Sequence, residues 1–156
     1  MPEQKIKVFH LIPRPGLQRT RQFTDQINAL LKELNPKNPD LSRERLDHLL
    51  SQQLFSLFIA RSGETVVGMA SLFILCTLSK TQGIVHDVVV SNTCRGQGLG
   101  EQLMQAIIKY AHLANLDYID LTSRPERLAA HKLYEKLGFK KRDTAVYRLT
   151  LNQNLV

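Results

Sequence analysis

The stretch Arg95-Gly96-Gln97-Gly98-Leu99-Gly100 constrains this chain more than any other. Three glycines alternate within six residues. The apolar run "GIVHDVVV" (83–90) precedes them, and a helical pattern follows. A glycine-rich turn between strand and helix leaves backbone N–H groups free at the helix N-terminus, where the macrodipole adds about half a positive charge. Without Cβ atoms the backbone admits a bulky anion, and Arg95 adds a planar cation suited to phosphate oxygens. The segment reads as an anion cradle whose ligand the flanking sequence must specify.

The flanking pattern gives the fold class. Leu99, Leu103, Ala106, Ile107, Tyr110 and Ala114 form one apolar stripe at helical spacing. Upstream, Phe23, Ile27, Leu30, Leu31 and Leu34 mark a helix over 17–34, ended by "NPKNP" at 35–39. A second helix is expected over about 41–53, with Leu46, Leu49 and Leu50 on one face. The period then changes. "LFSLFIA" (54–60), "TVVGMASLFILCTL" (65–78) and 83–90 are rich in β-branched and aromatic residues and read as strands, the first two a hairpin across "SGE". "LDYIDLTS" reads as a short strand. The next helix has Ser123 and Glu126 at capping-box spacing, Pro125 in its first turn and Gly138 past its end. "AVYRLTL" (145–151) alternates like a last strand. The order α-α-β-β-β-α-β-α-β predicts a mixed α/β (α+β) sheet in one domain over 1–156, with a parallel pair around the glycine loop.

Composition excludes several classes. No run of roughly 18 apolar residues is present to cross a membrane, and "MPEQKIKVFH" lacks a signal-peptide core. Two cysteines, Cys76 and Cys94, make no disulfide framework, so a cytoplasmic location is expected. The net charge of +7 allows nucleic acid as a partner. The basic residues are dispersed, however, and no nucleic-acid motif occurs, so an anionic small molecule is the favoured partner. No metal is expected.

Spacing narrows the anion. A P-loop requires Gly-Lys-Ser/Thr at its end, and here Glu101 and Gln102 follow the last glycine. A dinucleotide fingerprint needs G-x-G-x-x-G with an acid about twenty residues on. Asp120 suits the distance, but the spacing is one residue short and too little chain follows. "RGQGLG" together with "HDVVV" and "AAHKLYEKLGF" resembles the GCN5-related N-acetyltransferases (GNAT), with Arg95, Gly98 and Gly100 at the loop's signature positions. The resemblance follows the order of elements through most of the chain. It implies the acyl-CoA N-acyltransferase fold and acetyl-coenzyme A as cosubstrate. Its pyrophosphate would lie on Arg95, Gly96, Gln97, Gly98, Leu99 and Gly100, and its pantetheine arm along Val88, Val89 and Val90, in a gap where strands 84–90 and 117–122 splay apart.

Acetyl transfer to an amine needs a neutral amine, although a free lysine-type amine has a pKa of about 10.4. It also needs a donor for the oxyanion and a proton for the departing thiolate. Tyr134 matches the tyrosine of the family's "LYxKxGF" segment, which implies the general acid; its place on the helix's apolar stripe also suits a core residue. His86 and Asp87 occupy the stretch where the family often has a glutamate, and either, or a water relay, is a candidate base. In a regular strand they point to opposite faces, so only one would face a given cleft. Arg127 stands where many members have asparagine, which leaves it either at the coenzyme's pyrophosphate or 3′-phosphate or facing water; His131 either lines the coenzyme channel or is exposed, and neither is assigned as catalytic. The resemblance implies direct transfer in a ternary complex to a primary amine: a small amine, an aminosugar phosphate or a protein amine. A domain that binds acetyl-coenzyme A as a non-catalytic sensor or scaffold is the alternative. The acceptor pocket is expected at the N-terminal helices and hairpin loop, and "VYRLTL" is the segment the family offers for pairing across a homodimer.

Overall fold

The computed structural model describes residues 5–12 and 20–151. Its elements run β1 (Lys7–Leu11), α1 (Arg21–Leu34), α2 (Arg43–Ser51), β2 (Phe55–Ser62), β3 (Thr65–Cys76), β4 (Thr81–Val90), a short 3-10 turn (Asn92–Cys94), α3 (Leu99–Leu113), β5 (Tyr118–Leu121) and α4 (Leu128–Lys136). The five strands lie in one sheet in sequence order, antiparallel except for the parallel β4–β5 pair. The mixed architecture and the parallel pair around the glycine loop agree with the sequence reading.

Two apolar clusters cover the two faces of the sheet. Ile27 and Leu30 of α1 and Leu46 and Leu50 of α2 pack on Leu57, Ile59, Met69 and Val89. Leu99, Leu103, Met104 and Ile107 of α3 pack on Phe58, Ala60, Ala70, Leu72 and Val85. Burying such side chains stabilises by about 1.5–3 kcal/mol each, so the period-2 strands and the two helical stripes fix one another. The first two helices have polar caps: Thr20 accepts from the Phe23 N–H and Ser42 from the Arg45 N–H. Residues 17–19 of the expected first helix lie outside the described residues.

Three expectations change. β1 was not anticipated: "KVFHL" is short and begins with lysine, and it becomes a strand by pairing with Leu57–Arg61 of β2. The final strand over 145–151 does not form. Residues 140–151 have no regular structure, and Val146, Tyr147, Leu149 and Leu151 are all more than three-quarters exposed. Alternation alone cannot make a strand, because the ladder bonds need a partner edge, and β5 offers only four residues. The capping box at Ser123 is also not realised. The Arg127 N–H bonds back to Arg124 O and Arg127 has ψ 58°, so Pro125 and Glu126 sit in a turn and α4 starts at Leu128. Its end agrees with expectation. Gly138 has φ 91°, and the Phe139 N–H bonds to Tyr134 O at 2.9 Å, a Schellman closure.

Candidate active site

β4 is not a regular strand. Val89 pairs with Met69 and His86 with Ser71, so Asp87 and Val88 together stand opposite Ala70. This is a β-bulge, with two residues against one. Asp87 takes φ 53°, a left-handed conformation that aspartate tolerates better than most residues. Its carboxylate Oδ2 accepts from Ser71 Oγ at 3.0 Å. Val85 and Val88 pack with the α3-side cluster and Val89 with the α1-side cluster. The extra residue therefore resets the alternation: His86, cross-strand from Ser71, and Asp87, bonded to Ser71, turn to the same side. This corrects the expectation that only one of them faces a given cleft. Both line one cavity. His86 also meets the edge of Phe73, with ring centroids 6.1 Å apart.

The cavity exists because β4 and β5 separate. Their parallel pairing runs from Gln82↔Tyr118 to Val85↔Leu121 and stops there. Beyond it, His86–Val90 have no β5 partner, so that backbone edge stays open. The opening has a volume of about 390 Å³, and Val85, His86, Asp87, Val88, Leu121 and Tyr134 line it. This is the splay expected between these strands.

The glycine loop lies just past the open edge. Gly96 and Gly98 have φ of 77° and 73°, and a Cβ at either would meet nothing within 4 Å. Both positions therefore need glycine for backbone conformation, with open space above them. Gly98 is the N-cap of α3, and no side chain caps that helix. The first closing bond is Gln102 N–H to Gly98 O, leaving the amides of Leu99, Gly100 and Glu101 without helical partners. Gly100 differs: it lies within α3 with ordinary φ, and a Cβ there would stand 3.3 Å from Leu133 Cδ2 of α4. Arg95 Nε donates to Val90 O at 3.2 Å, which holds the guanidinium over the end of β4. Gln97 is exposed.

Two carboxylates outside the motif support this loop. Glu33 of α1 accepts from the Asn92 N–H at 2.7 Å and from Ser91 Oγ at 3.2 Å. Glu101, in the first turn of α3, accepts from Lys136 Nζ of α4 at 2.6 Å. The lysine offsets the acid in the first turn of α3 and ties α4 to α3.

Tyr134 is partly buried against Phe139, with ring centroids 6.0 Å apart. Burial pushes its phenol pKa up, and the nearby Arg127 cation partly opposes this. The hydroxyl thus keeps its proton through neutral pH. Arg127 and Leu34 both line the cavity, and Arg127 Nη2 donates to Leu34 O at the end of α1. Its guanidinium is thus engaged by the protein rather than turned wholly to water. His131 is partly buried and is not part of the cavity wall. Sequence reasoning missed Ser123, Arg124 and Arg148, which also line the cavity. Ser71 did carry a signal, as a hydroxyl in the middle of an otherwise apolar run; Glu33 carried none, being 59 residues from its partner. A second depression of about 280 Å³ lies between α1 and α2, lined by Arg21, Asp25, Asn28 and Arg43 among others. It includes none of the expected site residues.

The fold and cleft define a class that comparison with known proteins identifies. Residues 23–139 match the acetyltransferase (GNAT) family model. An aminoalkylphosphonate N-acetyltransferase of Salmonella typhimurium is 31% identical over 126 residues, covering 78% of this chain and 81% of that one. Two solved structures share the fold. An aminoglycoside acetyltransferase, meta-AAC0020, from an uncultured soil metagenomic sample superposes with a TM-score of 0.81 at 19% identity, over 94% of this chain and 97% of that one. The aminoglycoside N-acetyltransferase AAC(6')-Iy in complex with CoA gives 0.74 at 18% identity, over 94% and 95%. The chain belongs to the GNAT family of acetyl-coenzyme A-dependent N-acetyltransferases. No described helix is long and apolar enough to cross a membrane.

Proposed function

We propose that this chain, acting as one domain in the cytoplasm, transfers an acetyl group from acetyl-coenzyme A directly to a primary amine bound beside it. The observation that carries the reading is the end of β4–β5 pairing at Val85↔Leu121, which opens a cleft lined by His86, Asp87 and Tyr134 together. The residues suit the coenzyme. The uncapped start of α3, with Arg95, Gly96, Gln97, Gly98, Leu99 and Gly100, offers free amides and a cation to a pyrophosphate. The unpaired edge of Val88–Val90 offers backbone groups to an amide-bearing arm in the manner of an added strand. When bound, the coenzyme supplies an acetyl thioester.

The protein's own groups divide the remaining work. The Asp87 carboxylate, held by Ser71, or the His86 imidazole accepts the proton of the incoming ammonium, directly or through a water. The interruption of the β3–β4 ladder at Asp87 and Val88 supports a backbone N–H there as donor to the acyl oxygen. The Tyr134 phenol, kept protonated by burial, gives its proton to the departing thiolate. The acceptor is a small amine, an aminosugar phosphate or a protein amine. The test is release of free thiol from acetyl-coenzyme A against a panel of such amines. Coenzyme binding with no turnover on any amine would overturn the enzyme reading in favour of a sensor.

Homodimer formation is assigned to residues 145–151, whose exposed Val146, Tyr147, Leu149 and Leu151 support pairing with a second copy. A mass by light scattering that stays monomeric at high concentration counts against it.

A further inference from the structure

The cavity that holds Tyr134 is unevenly charged. Arg124, Arg127 and Arg148 all line it, against a single carboxylate, Asp87. None of the three arginines forms an ion pair among the described residues. Arg127 is engaged by the Leu34 carbonyl, which leaves Arg124 and Arg148 as unpartnered cations at the cavity wall. They come from different parts of the chain: Arg124 follows β5, and Arg148 lies on the segment after α4. The same wall includes Ser123, whose Oγ is enclosed and has no hydrogen-bond partner among the described residues. A buried donor without a partner is costly, and guanidinium groups hold their charge at every working pH.

These cations are surplus to the coenzyme's pyrophosphate site. That site has its own cation, Arg95, and its own free amides at the start of α3, and none of residues 95–100 belongs to the cavity wall. The arginines instead share the wall with His86, Asp87 and Tyr134, where the amine reacts. Resting on the transferase reading above, we infer that the acceptor is a small amine carrying an anionic group, a phosphonate, phosphate or carboxylate. Arg124 and Arg148, with the Ser123 hydroxyl, hold the anion, while Asp87 draws the ammonium end. The cavity has two poles of opposite sign, and a molecule with both charges satisfies them together. A neutral-tailed amine would gain nothing from the two exposed cations and would leave the enclosed Ser123 hydroxyl without a partner.

The test is calorimetric binding to the coenzyme A-loaded protein, using 2-aminoethylphosphonate and ethanolamine as an anionic and a neutral probe. Arg124→Gln and Arg148→Gln are each compared with the original chain, and Arg142→Gln, an exposed arginine outside the cavity, controls for net charge. The expected result is roughly tenfold or more weaker binding of 2-aminoethylphosphonate in each cavity variant, with ethanolamine, coenzyme A affinity and the Arg142→Gln control unchanged. Loss of coenzyme A affinity, an equal loss for both amines, or no binding of the anionic probe overturns the inference. The two readings fail separately. Turnover of neutral amines alone keeps the transferase and removes the anion clamp. Arginine-dependent binding of the phosphonate without thiol release keeps the clamp and removes the transferase.

Discussion

Ser71 Oγ donates a 3.0 Å hydrogen bond to Asp87 Oδ2 across the bulge between β3 and β4. Ser71 is only 2% exposed, so the bond fixes a carboxylate at the cavity from the sheet interior. Ser71→Ala removes this positioning bond while Asp87 remains open to solvent. The expected outcome is a loss of stability of about 1 kcal/mol, a lower kcat and an unchanged KM for acetyl-coenzyme A. A kcat identical to the original enzyme's would separate the Ser71–Asp87 bond from proton transfer.

Tyr134→Phe keeps the ring packing on Phe139 and removes only the hydroxyl. Turnover is expected to fall by roughly 100-fold, with coenzyme A affinity retained in calorimetry. Unimpaired thiol release would take Tyr134 out of the mechanism.

The three loop glycines should not respond alike. Gly98→Ala forces a left-handed conformation on a residue with a Cβ, at a cost of about 1–2 kcal/mol, and should weaken coenzyme A binding. Gly100→Ala meets only the end of the Leu133 side chain at 3.3 Å, which can give by a few tenths of an ångström. Thermal melts and coenzyme titrations of the pair measure the difference. Equal defects would contradict the separate roles.

Glu33→Ala deletes two hydrogen bonds to Ser91 and Asn92 at the entry to the glycine loop. Because one acceptor serves a backbone amide at 2.7 Å, the expected destabilisation is about 1.5–3 kcal/mol. Coenzyme A affinity should fall with it, and Glu33→Gln should restore part of both. Affinity that is untouched would mean the loop holds its shape without α1.

His10 gives a pH prediction for stability. Its ring is stacked 4.4 Å from Phe58 and packed 4.4 Å from Tyr110, with Nε2 enclosed and unpartnered among the described residues. Burial lowers its pKa below the ordinary imidazole value of 6.5. The unfolded chain therefore binds more protons here than the folded one, so stability rises with pH through this window. The contribution is complete above about pH 6.5 and declines as pH falls toward the lowered folded value. His10→Phe should flatten the change in melting temperature across that range; an unaltered slope would assign it to other groups.

Much of the fold was legible because it is periodic. Leu99, Leu103 and Ile107 recur at helical spacing, and each lies on the buried face of α3. The β2–β3 hairpin across Gly63 and the parallel β4–β5 pair were likewise set by local pattern and chain order. "KVFHL" and "AVYRLTL" failed in opposite directions for one reason. Each is short, and whether it becomes a strand depends on an edge elsewhere in the chain. β2 supplies that edge to the first, and β5 is too short to supply it to the second.

The site divides in the same way. The sequence by itself determined the family and singled out the glycine loop, Arg95, Gly98 and Tyr134 as site candidates, because each belongs to a contiguous motif with fixed spacing. Only the tertiary structure decided that His86 and Asp87 share a cavity, since a one-residue bulge turns a neighbour to the same face. It alone brought Glu33 to Asn92, Arg127 to Leu34, and Arg124 and Arg148 to one wall. These contacts join residues far apart in the chain. Their geometry is set by how the sheet opens and the helices pack, which no local pattern encodes.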